Sequence, residues 1–289
     1  MLASIFVFRC CALHSTPLHS TPIGEKEPRT ITVAKHSLRS KNRRSKNLLQ
    51  IGANDGVKGN VKVVKALLND PESSAILVEG SPQIYQLLVQ NVKTLYDETQ
   101  KRIVPINAMV CEDGKSMTFY SPNIDKIKEK TTHPNLVIPH WVRYQIGSLE
   151  EKSVIEGLNS WMLDRKDAFP SELSPEDFVR KESIDCISLA SIITQSSLTA
   201  DEIGVLAIDV EGYDAPVMLE SFKVPGLEPD KVVFEHKSTT TFFPEEFNTV
   251  METLEARGYK LDCHRDPNAA GGWKCTGGQD VHAVKEVSF

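Results

Sequence analysis

None of the six cysteines of this 289-residue chain (Cys10, Cys11, Cys111, Cys186, Cys263, Cys275) is spaced from another as CxxC, and they form no dense framework. That absence argues against a disulfide scaffold and for reduced thiols in a cytosol-like compartment. Cys263, His264 and Cys275 lie near one another, but without a second ligand pair they do not make a zinc motif. No stretch approaches the roughly 20 apolar residues of a transmembrane helix. Positive charge is also scarce once the first 47 residues are set aside. These hold nine basic residues and only two acids, Glu25 and Glu27, so the chain's net −6 divides into +7 there and −13 on the remainder. An acidic body is a poor match for a nucleic-acid backbone, which requires a basic face. Small-molecule chemistry without a nucleic-acid partner is the expectation.

The basic leader, residues 1–46, repeats His14-Ser-Thr-Pro and His19-Ser-Thr-Pro and then runs from Lys35 to Lys46. Such low-complexity sequence buries too little apolar area to order itself, and is expected to be disordered. Its apolar start, Leu2 to Phe8, is cut short by Arg9, too short for a secretory signal. A cytoplasmic protein is therefore expected, with organelle targeting through the Arg- and Ser-rich leader as the alternative.

From residue 47 onward, short apolar runs alternate with helix-period segments, the pattern of a parallel sheet covered on both faces, so the class is α/β. Asn47 to Gly52 reads as the first buried strand, and Val57, Val61, Val64 and Leu68 line one face of a helix that stops near Pro71. Ala75 to Glu79 is the second strand. Ser81-Pro82 then starts a helix with Ile84, Leu87 and Leu88 inward. Ile103 to Cys111 and Met117 to Tyr120 are further strands around a turn at Glu112-Asp-Gly114. Residues 121–181 carry several prolines, Trp141 and Trp161, and no strand-like run, so they read as an irregular insertion near the active face. Ile184 to Leu189, Ile203 to Asp209 and Lys231 to Glu235 resume the sheet. Pro244 opens a helix whose Phe247, Val250, Met251 and Leu254 fit the i, i+3, i+4, i+7 template up to Gly258. Tyr259 to His264 and Asp280 to Val284, joined by a Gly-rich loop with Trp273, suggest an antiparallel hairpin at the sheet edge.

In an open α/β sheet, ligands bind beyond the carboxyl ends of the strands. The first strand ends in Gly52-Ala-Asn-Asp-Gly56, where glycines let backbone approach a ligand closely. The spacing is not the GxGxxG dinucleotide fingerprint, because residue 54 is Asn and residue 57 is Val, so a nucleotide-linked oxidoreductase is disfavoured. Glu79 ends the second strand about 20 residues on, where a carboxylate accepts both hydroxyls of a ribose. Ile208-Asp-Val-Glu-Gly-Tyr-Asp214 places Asp209 and Glu211 two apart on an extended segment, before a glycine that permits a sharp exit. A carboxylate there steers a cofactor, deprotonates a hydroxyl or ligates a metal.

Together, Leu49-Gln-Ile-Gly-Ala-Asn-Asp-Gly56, Leu77-Val-Glu-Gly-Ser-Pro82, Gln145-Ile-Gly-Ser-Leu149, Leu206-Ala-Ile-Asp-Val-Glu-Gly-Tyr-Asp214 and Val232-Val-Phe-Glu-His236 resemble the FkbM family of S-adenosylmethionine-dependent methyltransferases, over about Leu48 to Lys285. The resemblance implies a Rossmann-like class I methyltransferase sheet, mostly parallel with an antiparallel closing strand, and methyl transfer to a hydroxyl oxygen of a small molecule or sugar. By position it implies that Gly52, Asn54 and Asp55 line the methionine end of S-adenosylmethionine. Glu79 would hold the ribose, Asn107 and Ala108 would flank the adenine, and Asp209 and Glu211 would face the methyl. Gln50 stands where members of the family often have an acid; it accepts a hydrogen bond but forfeits charge complementarity to the cofactor's amino group. That departure opens the alternative of a non-catalytic nucleoside-binding module of the same fold.

Methyl transfer to a hydroxyl needs a base near the methyl. Asp209 and Glu211 are the nominees, with His236 beside them because a neutral imidazole has the closest pKa. Glu235 stands where it would extend the carboxylates into a Mg²⁺ donor set, but the expectation is a metal-independent reaction.

Overall fold

The structure, a computed structural model, describes residues 47–56, 70, 72–95, 102–144, 146–149, 151–210, 212–276 and 278–286. The leader, the helix expected after Gly56, and Glu211 lie outside the described residues. The first five strands of the main sheet are β1 (Asn47–Ile51), β2 (Ala75–Glu79), β3 (Ile103–Asn107), β7 (Ile203–Ile208) and β8 (Lys231–Glu235). Two more, β9 (Tyr259–Leu261) and β12 (Asp280–Lys285), complete it in the order β3-β2-β1-β7-β8-β12-β9. All neighbours are parallel except β12, which runs against both β8 and β9. This is the mostly parallel Rossmann-like sheet with one reversed strand that the sequence led us to expect.

Every residue of β1 and β2 is buried, and the continuous Leu-Leu and Ile-Leu-Val runs follow from helices or loops covering both faces of the sheet. Helix α1 (Pro82–Leu95) begins on Ser81, whose hydroxyl accepts from the Ile84 N–H at 3.4 Å, and it buries Ile84, Leu88 and Val92 at i, i+4, i+8. The helix expected from Pro244 is α8 (Pro244–Ala256), with Phe247, Val250, Met251 and Leu254 all at 0% exposure.

Three expectations are corrected. First, the strand expected from Ile184 to Leu189 ends at Ile187 and does not join the main sheet. It belongs to β6 (Val179–Ile187), which pairs antiparallel with β5 (Ser116–Pro122) and parallel with the two-residue β4 (Met109–Val110) in a separate sheet. A strand's apolar run says that it is buried, not in which sheet. Second, the segment between β5 and β6 is not irregular. It forms α2 (Ile124–Lys130), α3 (His140–Tyr144) and α4 (Glu151–Leu163), which bury Ile127, Val142, Val154, Leu158, Trp161 and Phe178 in a core of their own. Two of these helices are only 7 and 5 residues long, too short for periodicity to reveal. Third, the closing antiparallel pair does form at the sheet edge as expected, but its first strand is shorter than the sequence suggests. β12 inserts between β8 and β9, leaving β9 at the edge, while Tyr259 to His264 breaks at Asp262, whose carboxylate accepts from the His282 N–H. Beyond the break, β10 (Cys263–Arg265) pairs with β11 (Trp273–Cys275) as a separate ribbon. The remaining helices are α5 (Leu189–Gln195), α6 (Asp214–Phe222) and α7 (Lys237–Phe242).

The expectation of reduced thiols is also corrected, for the four cysteines among the described residues. Cys111 is bonded to Cys186 and Cys263 to Cys275. Local spacing could not reveal the first pair, whose members are 75 residues apart and meet because β4 lies along β6. The second pair faces itself across the β10–β11 ribbon.

Candidate functional site

The chain passes from β1 outward to β2 and β3, then returns to place β7 against the other side of β1. The carboxyl ends of β1 and β7 therefore diverge at a topological switch point, where ligand crevices form. Gly52 turns the chain away from β1 at φ +77°, and a Cβ there would stand 1.8 Å from the Asp209 carbonyl oxygen. The Asp209 N–H donates to the Ile51 carbonyl at 2.9 Å, so this crowding is the direct result of β7 zipping against β1. The N–H groups of Gly52 and Ala53 both donate to the Val78 carbonyl, and Asn54 takes a left-handed φ of 51°.

Glu79, at the end of β2, is 8% exposed. Its carboxylate accepts the Asn54 N–H at 2.9 Å and the Ser81 N–H at 2.8 Å. Burial raises its pKa from 4.5 to about 7 against the lowering effect of those N–H donors, with the Asp209 charge adding to the rise. One oxygen takes each backbone donor, so each keeps acceptor capacity for a ribose hydroxyl. Asn107 lies beside Glu79 in the β2–β3 register, and its amide donates to the carbonyls of Glu79 at 2.7 Å and Gly80 at 3.1 Å. Ala108 follows, 2% exposed, with its N–H on the Glu79 carbonyl. Gln50 is 4% exposed within β1, between Leu77 and Ala207. Gly52, Asn54, Glu79, Asn107, Ala108 and Asp209 thus converge at one edge, as their strand ends require.

Asp209 opens to solvent at the rim, yet the surrounding protein raises its pKa from 3.8 to about 6, with Glu235 and Asp280 contributing. Asp214, at the start of α6, is wholly buried. It accepts the N–H groups of Val210 at 3.4 Å, Gly212 at 3.3 Å and Glu235 at 3.1 Å. Burial nevertheless lifts its pKa to about 8. Its role is to pin the exit from β7 to the end of β8. Thr239, also buried, donates to the Gly212 carbonyl and clamps the same turn. The Asp-Val-Glu-Gly-Tyr-Asp stretch, residues 209–214, therefore contains a structural acid as well as its nominated reactive ones.

His236 follows β8, and both its backbone N–H and its ring Nδ1 lie on the Gln279 carbonyl, at 2.9 and 2.7 Å. A carbonyl only accepts, so Nδ1 carries the proton and Nε2 is the basic nitrogen of the neutral ring. Sequence reasoning missed His140. The insertion's α3 sets its Nε2 3.9 Å from an Asp55 carboxylate oxygen, with the ring 4.6 Å from that of Tyr144. Nothing in the local sequence links residues 55 and 140; only the folded insertion does. Among the described residues, no three His, Cys, Asp or Glu side chains gather as a metal ligand set.

A sheet of this order, with one reversed strand and a glycine turn and buried acid at the switch point, is the Rossmann-like fold of class I methyltransferases. The model of the methyltransferase FkbM domain matches residues 50–261, and the chain belongs to that family. No curated protein sequence matches it. Among solved structures it is similar to the methyltransferase FkbM from Methylobacillus flagellatus KT, at 13% identity and a TM-score of 0.44, covering 88% of this chain and 47% of that one. It is also similar to Aeropyrum pernix fibrillarin with natively bound S-adenosyl-L-methionine, at 12% identity and a TM-score of 0.34, covering 82% of this chain and 66% of that one. The chain spans about half the length of the first.

Proposed function

We propose that this domain is an S-adenosylmethionine-dependent O-methyltransferase acting on a hydroxyl of a small molecule or sugar. The observation that carries the hydroxyl assignment is His236. Its Nδ1 is committed to the Gln279 carbonyl, which leaves Nε2 as a proton acceptor at the strand edge that also carries Asp209. The residues at that edge fit the cofactor. Glu79 offers a buried carboxylate with spare acceptor capacity for a ribose diol, and the Gly52 turn lets backbone approach without side-chain bulk. When bound, the cofactor supplies an electrophilic methyl on sulfonium, so the protein's task is alignment and proton removal.

In this reading Gly52, Asn54 and Asp55 border the methionine end, Asn107 and Ala108 the adenine, and Asp209 and Glu211 the methyl. Gln50 contributes hydrogen bonding without charge. Asp209, with a pKa near 6, is ionised at neutral pH and places a negative charge at the strand edge where the sulfonium and the acceptor meet.

Thermal shift with S-adenosylmethionine, S-adenosylhomocysteine and NAD tests the cofactor. At 100 times its dissociation constant, a ligand adds about 2.7 kcal/mol of stability. Both adenosyl ligands are expected to raise the melting temperature and NAD to leave it unchanged; no shift with either adenosyl ligand refutes the proposal. Labelled methyl transfer into a pool of hydroxyl compounds tests the reaction. His236→Gln should keep the S-adenosylhomocysteine shift and lose transfer. A wild-type shift with no transfer to any acceptor would point to a non-catalytic module.

A further inference from the structure

We propose that this domain is completed by oxidation at two sites, Cys111–Cys186 and Cys263–Cys275, and that it therefore matures and works in an oxidising compartment rather than in a reducing cytosol. The two sites lie in different sheets. Cys111–Cys186 joins the segment just after β4 to β6, with Cα atoms 5.1 Å apart. Cys263–Cys275 crosses between β10 and β11, with Cα atoms 3.9 Å apart.

Both bonds cross short stretches of backbone pairing. β4 pairs with β6 through only two residue pairs, Met109 with Cys186 and Val110 with Ile187, yet β5 and β6 carry the whole helical insertion. The β10–β11 ribbon has three residues per strand and, among the described residues, no third strand. A two-stranded ribbon of that length is marginal in water by itself. At each place the covalent tie reinforces a short stretch of pairing, beside the buried Cys186 in one case and the buried Trp273 in the other. Four cysteines paired in this way are the signature of a chain folded where disulfides persist, because glutathione and thioredoxin systems keep such thiols reduced in the cytosol. Each bond forms as two thiols give up two protons and two electrons to a disulfide-bearing oxidoreductase, which leaves as the dithiol. The methyl acceptor is then a molecule present in the same compartment.

The test traps thiols in cells that make the full chain, by alkylation at lysis, and maps peptides without reduction. The expected result is two linked peptide pairs, Cys111 with Cys186 and Cys263 with Cys275, each lighter by two hydrogens than the sum of its reduced parts. Recovery of all four cysteines alkylated overturns the proposal. A second measurement needs no variant: treating the purified full chain with a dithiol reductant should lower its melting temperature by about 10 °C or more. An unchanged melting temperature after demonstrated reduction would equally overturn it.

Discussion

Replacing Glu79 by glutamine removes a carboxyl that burial holds protonated up to a pKa of about 7, against 4.5 in an ordinary setting. The native group keeps its proton at pH values where the unfolded chain has lost it. Its favourable contribution is therefore full below about pH 4.5 and is lost as pH rises through 7. Integrated from pH 5 to pH 8, a group shifted in this way costs the native state roughly 2 to 3 kcal/mol. Asp209 and Asp214, with pKa values raised to about 6 and about 8, slope in the same direction, so the wild-type curve alone does not isolate Glu79. The difference between wild type and Glu79→Gln does, because glutamine does not titrate. The assay is urea unfolding of the full chain at several pH values between 5 and 8. The wild type should lose roughly 2 to 3 kcal/mol more than the variant across that range. Parallel curves would show that the buried carboxyl is not held protonated, and the electrostatic account of the edge would fail. The same ionised form best accepts ribose hydroxyls, so cofactor affinity should rise over the interval in which the free domain loses stability. Glu79→Gln should abolish that rise.

Gly52→Ala forces a left-handed residue against the Asp209 carbonyl; the backbone strain alone costs about 1 to 2 kcal/mol. Displacement of the β1–β7 edge adds to this, so urea unfolding should register the loss together with a vanished S-adenosylhomocysteine shift. Asp214→Ala leaves the N–H groups of Gly212 and Glu235 without their buried acceptor and should cost about 2 to 4 kcal/mol; a loss below about 1 kcal/mol would mean that the turn does not depend on it. Trp161→Ala empties the core of the insertion, where the indole meets Phe169 at 5.8 Å, and should cost about 3 to 5 kcal/mol. Rapid proteolysis between residues 123 and 178 should accompany it.

The strands of the main sheet, the helices from Pro82 and Pro244, and the family were legible because each is written in a contiguous run: buried β-branched stretches, an N-cap followed by proline, a 3.6-residue apolar period, or a glycine turn after a strand. Gly52, Glu79 and Asp209 could be placed at one edge from sequence because a parallel sheet puts all its strand ends on the same side. Which sheet β6 joins, where β12 inserts, and the partners of Cys111 and His140 depend on contacts between segments distant in sequence, so no local pattern reveals them. The same holds for the titration of the site. The sequence supplied Glu79, Asp209 and Asp214 as ordinary acids, and only the tertiary structure, which buries Glu79 and Asp214 and surrounds Asp209 with protein and with the charges of Glu235 and Asp280, raised their pKa values toward neutrality.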